Sequence, residues 1–183
     1  MSGRRVFVQS GTLYVDRPPI EEISRPMSPF GQVIGFAVNA QDSWCAYLAD
    51  AIADTRFELF CVHLDGGFEG RISHVLPPDY DVAGDFKFSL AGDRVIYRAG
   101  RTALGNWELY SVPSEGGQVR KINAPLAPGT MVESFSILDS LRVRYVVSGG
   151  PKAAAFAVPI LGGLAQSEIF SNNFESGSTG DWR

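Results

Sequence analysis

The chain has 183 residues, a formal net charge of −4 and 45% hydrophobic residues, a composition normal for a globular domain with a sizeable core. Its longest basic clusters are pairs such as Arg4-Arg5 and Arg120-Lys121, too little for the basic face that a nucleic-acid partner requires. No apolar run approaches the ~20 residues of a membrane-spanning helix, and twenty glycines with eleven prolines point to a turn-rich β protein.

The opening stretch, MSGRRVFVQSGTLYV, has an apolar core of only Val6-Phe7-Val8. That is shorter than the ~7–15 residues of a secretory signal core, which taken alone points to the cytoplasm. Three strands are expected in residues 5–24, at Arg5–Gln9, Thr12–Asp16 and Glu21–Ser24. A linker with Pro26 and Pro29 leads to a unit over 33–73, with strands at Val33–Val38, Trp44–Ala49, Phe57–His63 and Gly70–Ser73. Pro77-Pro78 mark residues 74–84 as a second linker, since proline cannot continue a sheet interior. The next unit, 85–122, reads as strands Phe86–Leu90, Arg94–Ala99, Trp107–Val112 and Gln118–Ile122. After Pro125 and Pro128 a last unit runs over 131–170, with a weaker third strand at Ala153–Val158. The runs are short, rich in Val, Ile, Phe and Tyr, and bounded by Gly, Asp and Pro, which is strand chemistry with turn punctuation.

These units repeat. Tyr47, Tyr97 and Tyr145 lie 50 and 48 residues apart. Each of the first two is followed by a matching run, Phe57-Glu58-Leu59-Phe60 and Trp107-Glu108-Leu109-Tyr110, and then by paired glycines, Gly66-Gly67 and Gly116-Gly117. A third copy ends at Gly162-Gly163, and a worn copy opens the chain. Four antiparallel strands recurring with a period near ~50 residues define propeller blades. The expected fold is all-β, with antiparallel four-stranded blades forming a partial or small, about four-bladed, β-propeller: an incomplete blade at 5–24 and full blades at 33–73, 85–122 and 131–170. The first unit opens within a blade, so a piece of a longer propeller is the favoured reading over a small closed ring. Open edges of such a piece would support self-association.

The pattern FxxS–xxD–xVxY–xxELYSVPxxGG, best seen over Phe86–Gly117, resembles the TolB-type, dipeptidyl-peptidase-like β-propeller repeat of bacterial proteins, and the resemblance covers roughly residues 5–170. The chain departs from that repeat in its first hairpin turns, Asn39–Ser43, Leu90–Asp93 and Leu138–Ser140, where the family has Ser-Pro-Asp-Gly. It also keeps only Asp50 and Asp54 of an acidic loop after the tyrosine strand. The polar tail 171–183, SNNFESGSTGDWR, is similar to a short C-terminal tail of exported bacterial proteins, with Asn172-Asn173 where that tail has Asp-Gly. This resemblance implies export, a periplasmic or extracellular location, and a chain complete at its C-terminus.

Candidate chemistry is sparse. Cys45 and Cys61 face each other if their hairpin is centred near Ala53, which would bring their Cβ atoms to ~4.5–5.5 Å, close to disulfide reach; two buried free thiols are the alternative. His63 and His74 are the only histidines, too few for a zinc site with the cysteines. No Gly-x-Ser-x-Gly is present, so no nucleophile elbow is expected. Asp79, Asp81 and Asp85 lack the shaped loop that calcium needs and read as a solvated linker. Arg94, Arg98 and Arg101 read as exposed strand ends or a groove lining. The recurring aromatics Phe88, Phe135, Trp107, Tyr110 and the three tyrosines read as core, and Glu58 and Glu108 as hydrogen-bonding or rim positions. The expected protein has no catalytic residue, metal or cofactor. It is a binding or scaffold module of an exported bacterial protein, with a protein or glycan partner. The alternatives are the substrate-gating propeller of a prolyl-oligopeptidase-type hydrolase, or a decayed propeller fragment.

Overall fold

A computed structural model describes residues 4–101, 106–150 and 153–163, and the strand backbone of 166–168. The tail 171–183, and the comparison drawn from it, lie outside the described residues. Among the described residues every regular element is a β-strand, and the strands form four antiparallel sheets. Sheet 1 holds β1 (Arg5–Gln9), β2 (Thr12–Asp16) and β3 (Glu21–Glu22) in the order β1-β2-β3. Sheet 2 holds β4 (Val33–Val38), β5 (Trp44–Ala49), β6 (Glu58–His63) and β7 (Glu69–Arg71), again in chain order. Sheet 3 comprises β8 (Tyr80–Val82), β9 (Lys87–Phe88), β10 (Arg94–Arg101), β11 (Glu108–Pro113) and β12 (Arg120–Lys121). Sheet 4 comprises β13 (Met131–Ile137), β14 (Arg142–Ser148), β15 (Ala154–Pro159) and β16 (Gln166–Glu168). Among the described residues no helix is long and apolar enough to cross a membrane.

The turns follow from local chemistry. Ser10 and Gly11 both take positive φ, 51° and 80°, the left-handed pair of a type I′ turn whose twist matches a two-residue hairpin. In the first hairpin of sheets 2 to 4 a polar side chain caps the turn. Asn39 Oδ1 accepts from the Ser43 and Trp44 amides, each at 2.9 Å. Ser89 Oγ accepts from the Arg94 amide at 3.2 Å, and Asp139 Oδ1 from those of Leu141 and Arg142, both at 2.8 Å. Asn39, Ser89 and Asp139 thus supply the side-chain acceptor that an Asx- or Ser-type turn needs.

One stretch differs from expectation. Residues 74–84, read as a linker, contain β8, which pairs with the far end of β10 (Ala99↔Val82, Arg101↔Tyr80), while β9 pairs with its near end (Val95↔Phe88). The inner strand of sheet 3 is therefore broken in two. Sheet 2 holds the first piece: Val82 N donates to Phe57 O at 2.9 Å, and Asp81 Oδ1 accepts from Phe57 N at 2.9 Å.

Three apolar cores join neighbouring sheets. Leu13, Val15 and Ile23 of sheet 1 pack on Cys45, Tyr47, Phe60 and Val62 of sheet 2. Ala46, Leu48, Leu59, Cys61 and Ile72 pack on Val95, Tyr97 and Val112 of sheet 3. Ile96, Leu109 and Ile122 pack on Val132, Phe135, Val143, Tyr145 and Val158 of sheet 4. Fully burying each Val, Leu or Ile side chain stabilises by roughly 1.5–3 kcal/mol. No such core joins sheet 4 to sheet 1 among the described residues.

A polar clasp accompanies each core. Tyr47, Tyr97 and Tyr145 are buried, and each stacks on the residue across the hairpin: Phe60 at 5.3 Å, Tyr110 at 5.5 Å and Phe156 at 5.3 Å between centroids. Each tyrosine hydroxyl accepts a backbone N–H from the chain leaving the preceding sheet: Arg25 at 3.1 Å, His74 at 3.4 Å and Ala124 at 3.1 Å. One residue earlier in each connection, Ser24, Ser73 and Asn123 accept the amides of Leu13, Leu59 and Leu109 at 3.2, 3.2 and 2.7 Å. Burial pushes the hydroxyl pKa up at all three tyrosines, which keeps them neutral acceptors and donors at any physiological pH.

Candidate binding face

The residues singled out in the sequence do not gather into one site. Cys45 faces Val62 and Cys61 faces Ala46, so the hairpin is centred one half-step away from Ala53. Because strand side chains alternate, that displacement puts the two cysteines on opposite faces of sheet 2. Cys45 lies in the core with sheet 1 and Cys61 in the core with sheet 3. Both are buried free thiols, the other of the two readings, and the facing position that a disulfide needed is corrected by the register. Burial pushes the Cys61 thiol up to about 12 and raises that of Cys45 as well, which leaves neither reactive.

The carboxylates of the expected linker point to separate partners. Asp79 pairs with Arg101 at 3.2 Å, Asp81 takes the Phe57 amide, and Asp85 receives Arg98 Nε at 3.0 Å. Arg98 also donates to Val132 O at 3.0 Å and lies 5.7 Å from the Trp107 ring, tying sheet 3 to sheet 4. Asp50 is buried and caps two loops, accepting from Gln32 N at 2.7 Å and Thr55 N at 3.0 Å. His63 packs edge-on against Trp44 at 4.7 Å. His74 Nδ1 sits 3.1 Å from Tyr97 Oη.

One surface feature with room for a ligand is a groove of about 780 Å³ between the turns of sheets 3 and 4. Its walls are Ala91, Asp93 and Arg94 on one side and Asp139–Arg142 with Pro159–Leu161 on the other. The turns are held by packing and hydrogen bonds. Gly92 adopts φ 74°, and a Cβ there would meet Asn39 Nδ2 at 2.6 Å, within the packing against sheet 2. Ser114 donates to Gly92 O at 3.0 Å through Oγ and to Asp93 O at 2.9 Å through its amide. Ile160 N donates to Leu141 O at 2.7 Å. The Arg94 guanidinium is anchored by Ser111 Oγ at 2.8 Å, and Asp139 is held in its charged form, with its pKa lowered by the Leu141 amide and Arg142. Beside these polar groups stand Leu141 and Leu161, both exposed, with Leu141 at 70%. Burial of apolar area against a partner is the chemistry this end offers.

The sequence reading missed this pair, because Leu141 and Leu161 sit in different turns. It also missed the recurring Ile-Ser/Asn-x run after each outer strand (Ile23-Ser24-Arg25, Ile72-Ser73-His74, Ile122-Asn123-Ala124), whose spacing follows that of the tyrosines it serves.

No protein-family model and no curated protein matches the chain, but solved structures share its arrangement. Porphyromonas gingivalis dipeptidyl peptidase 4 aligns at TM-score 0.63 and 18% identity over 85% of this chain and 22% of its own. The tricorn protease aligns at TM-score 0.62 and 15% identity over 91% of this chain and 16% of its own. TolB from Acinetobacter baumannii aligns at TM-score 0.50 and 12% identity over 91% of this chain and 40% of its own. The chain has a TolB-type, peptidase-like β-propeller fold. It spans well under half the length of each of these three proteins. At such identities the likeness to these propellers carries the fold and not an activity.

Proposed function

We propose that this β-propeller module is a non-catalytic binding or scaffold unit of an exported bacterial protein, working in the periplasm or outside the cell. It engages a protein or glycan partner through the turns of sheets 3 and 4. The observation that carries this reading is the pair of exposed leucines, Leu141 and Leu161, in the wall of the groove. Exposed apolar side chains beside anchored charged groups combine buriable area with directional polar contacts, the mixture found in protein interfaces. That lining favours a protein over a glycan. Export rests on the resemblance of the 171–183 tail.

The test is capture of partners from a bacterial envelope extract by the chain and by a Leu141→Asp/Leu161→Asp double variant, followed by affinity measurement with each partner isolated. Loss of two central apolar contacts should weaken binding at least about tenfold, a change of about 1.4 kcal/mol. Equal affinity for the two proteins would refute the assignment of this face.

A second reading is favoured by the likeness to the tricorn protease and dipeptidyl peptidase 4. In it the propeller admits substrates to a hydrolase carried on another chain or domain. A captured partner with a Gly-x-Ser-x-Gly elbow on an α/β domain would support that reading over the first.

A further inference from the structure

The three clasps between sheets differ in the residue whose amide meets the tyrosine. In the first, the Arg25 guanidinium covers Phe60, with Cζ 5.2 Å from the ring centroid. In the second, the His74 ring covers Tyr110, 4.6 Å between centroids. In the third the residue is Ala124, which has nothing to lay on Phe156. A pocket of about 240 Å³ opens there, with Ala124, Tyr145 and Phe156 in its walls beside Pro125, Leu126 and Val147. Tyr145 and Phe156 pack in the core between sheets 3 and 4, so the pocket belongs to a junction between two described sheets. None of its lining residues carries a charge. It lies at the opposite ends of the strands from the leucine groove, since Arg142, which opens β14, lines that groove and Val147, near the end of β14, lines this pocket.

The tyrosine proton selects the occupant. Each hydroxyl accepts a backbone N–H and has one proton to donate. Tyr47 donates to Glu69 Oε1 at 2.8 Å, and Tyr97 lies 3.1 Å from His74 Nδ1, an acceptor when the ring carries its proton on Nε2. Tyr145 bonds the Ala124 amide and has no acceptor for its proton among the described residues, although the residue is only 1% exposed. A buried donor without an acceptor is costly, and a ligand that brings an acceptor removes that cost. A guanidinium is flat but has donors only, an indole likewise, and a phenyl ring has neither. A neutral imidazole has both a flat face and a lone-pair nitrogen, and it is what the second clasp holds against Tyr97 and Tyr110. We infer that this pocket receives the neutral imidazole of a histidine from a partner protein, with its ring on Phe156 and its nitrogen accepting from Tyr145 Oη. His63 and His74 are the only histidines of this chain, and both are already packed, on Trp44 and at Tyr97. The histidine therefore comes from a different protein and not from a second copy.

The experiment titrates the full chain with imidazole at about pH 8, where the probe is neutral, and follows backbone amide chemical shifts by nuclear magnetic resonance. Saturable shifts should centre on Ala124, Thr130 and Val147, with a dissociation constant on the order of 1–10 mM for so small a ring. Nα-acetyl-histidine methylamide, which presents the ring on a peptide unit, should bind at least as tightly. At about pH 5 binding should weaken at least about tenfold, because imidazolium has no acceptor, and guanidinium should be weaker than imidazole by a similar factor. Ala124→His puts the residue of the second clasp into the third and should abolish the shifts with unchanged circular dichroism. Absence of saturable shifts at about pH 8, equal binding at the two pH values, equal binding of guanidinium, or undiminished binding to Ala124→His would each overturn the proposal. Binding of imidazole but not of the blocked histidine would assign the pocket to a free heteroaromatic molecule and overturn the partner protein as its source. Should Ala124→His fail to fold, the pH and guanidinium comparisons on the wild type decide.

Discussion

Glu58 and Glu108 hold the same place in consecutive repeats and answer to different surroundings. Glu58 is fully buried, with Arg71 Nη1 at 2.8 Å and Arg56 Nη2 at 3.7 Å. Glu108 is 31% exposed, receives Lys121 Nζ at 2.9 Å and accepts from the Tyr110 hydroxyl at 3.1 Å. Both acids serve a cross-strand pair, and neither has the free, cleft-facing carboxylate of a catalyst. The energetic consequence differs, because a buried charge that loses its partner keeps its full desolvation cost, while water screens an exposed pair. Arg71→Met should therefore destabilise the fold by about 3 kcal/mol, and Lys121→Met by less than about 1 kcal/mol. Urea unfolding followed by circular dichroism measures both, and equal losses would show that burial does not distinguish the two sites.

At the scale of elements, the three clasps between sheets share a tyrosine and differ in the residue that meets it, and only the middle one carries a titratable ring. His74 lies against Tyr110 at 4.6 Å and beside the Tyr97 hydroxyl. Burial lowers its pKa from the ordinary 6.5, the Arg71 charge adds to this, and Glu108 opposes it. A folded state that resists protonation binds fewer protons than the unfolded chain, so stability rises with pH in this window. The contribution is intact above about pH 6.5 and is lost as the pH falls below it. Melting temperatures between about pH 5 and 8 should fall more steeply for wild type than for His74→Leu, which keeps the backbone clasp; parallel curves would remove the histidine from the account. The tyrosines and the strands they anchor were legible in the sequence, because bulky apolar residues recur at one position whenever sheets stack. β1 and β2 were legible to the residue for the same reason. β8 was not: three residues beside Pro77-Pro78 carry no periodic signal, and what makes Tyr80–Val82 a strand is its pairing with Ala99–Arg101 of β10. The cysteine pairing failed on register, since a half-step in the centre of one hairpin exchanges the two faces of a sheet. The leucine pair was illegible because only the fold brings the turns that carry Leu141 and Leu161 to one groove.

Among the described residues, the four sheets are joined by nearest-neighbour cores. Stability in such an array is close to a sum of unit and interface contributions, so damage should stay near the interface where it is made. Leu13 is fully buried in the core between sheets 1 and 2, and replacing a buried leucine by alanine costs about 2–5 kcal/mol. In Leu13→Ala that loss can reach sheet 4 only through sheets 2 and 3, because no core among the described residues connects sheet 4 back to sheet 1. Sub-global opening exposes amides unit by unit. Hydrogen exchange should therefore speed up most over β1–β3, less over β4–β7, and little over β13–β15. Equal acceleration in all four sheets would mean that the array opens as one unit, and the nearest-neighbour description would then give way to a single cooperative core.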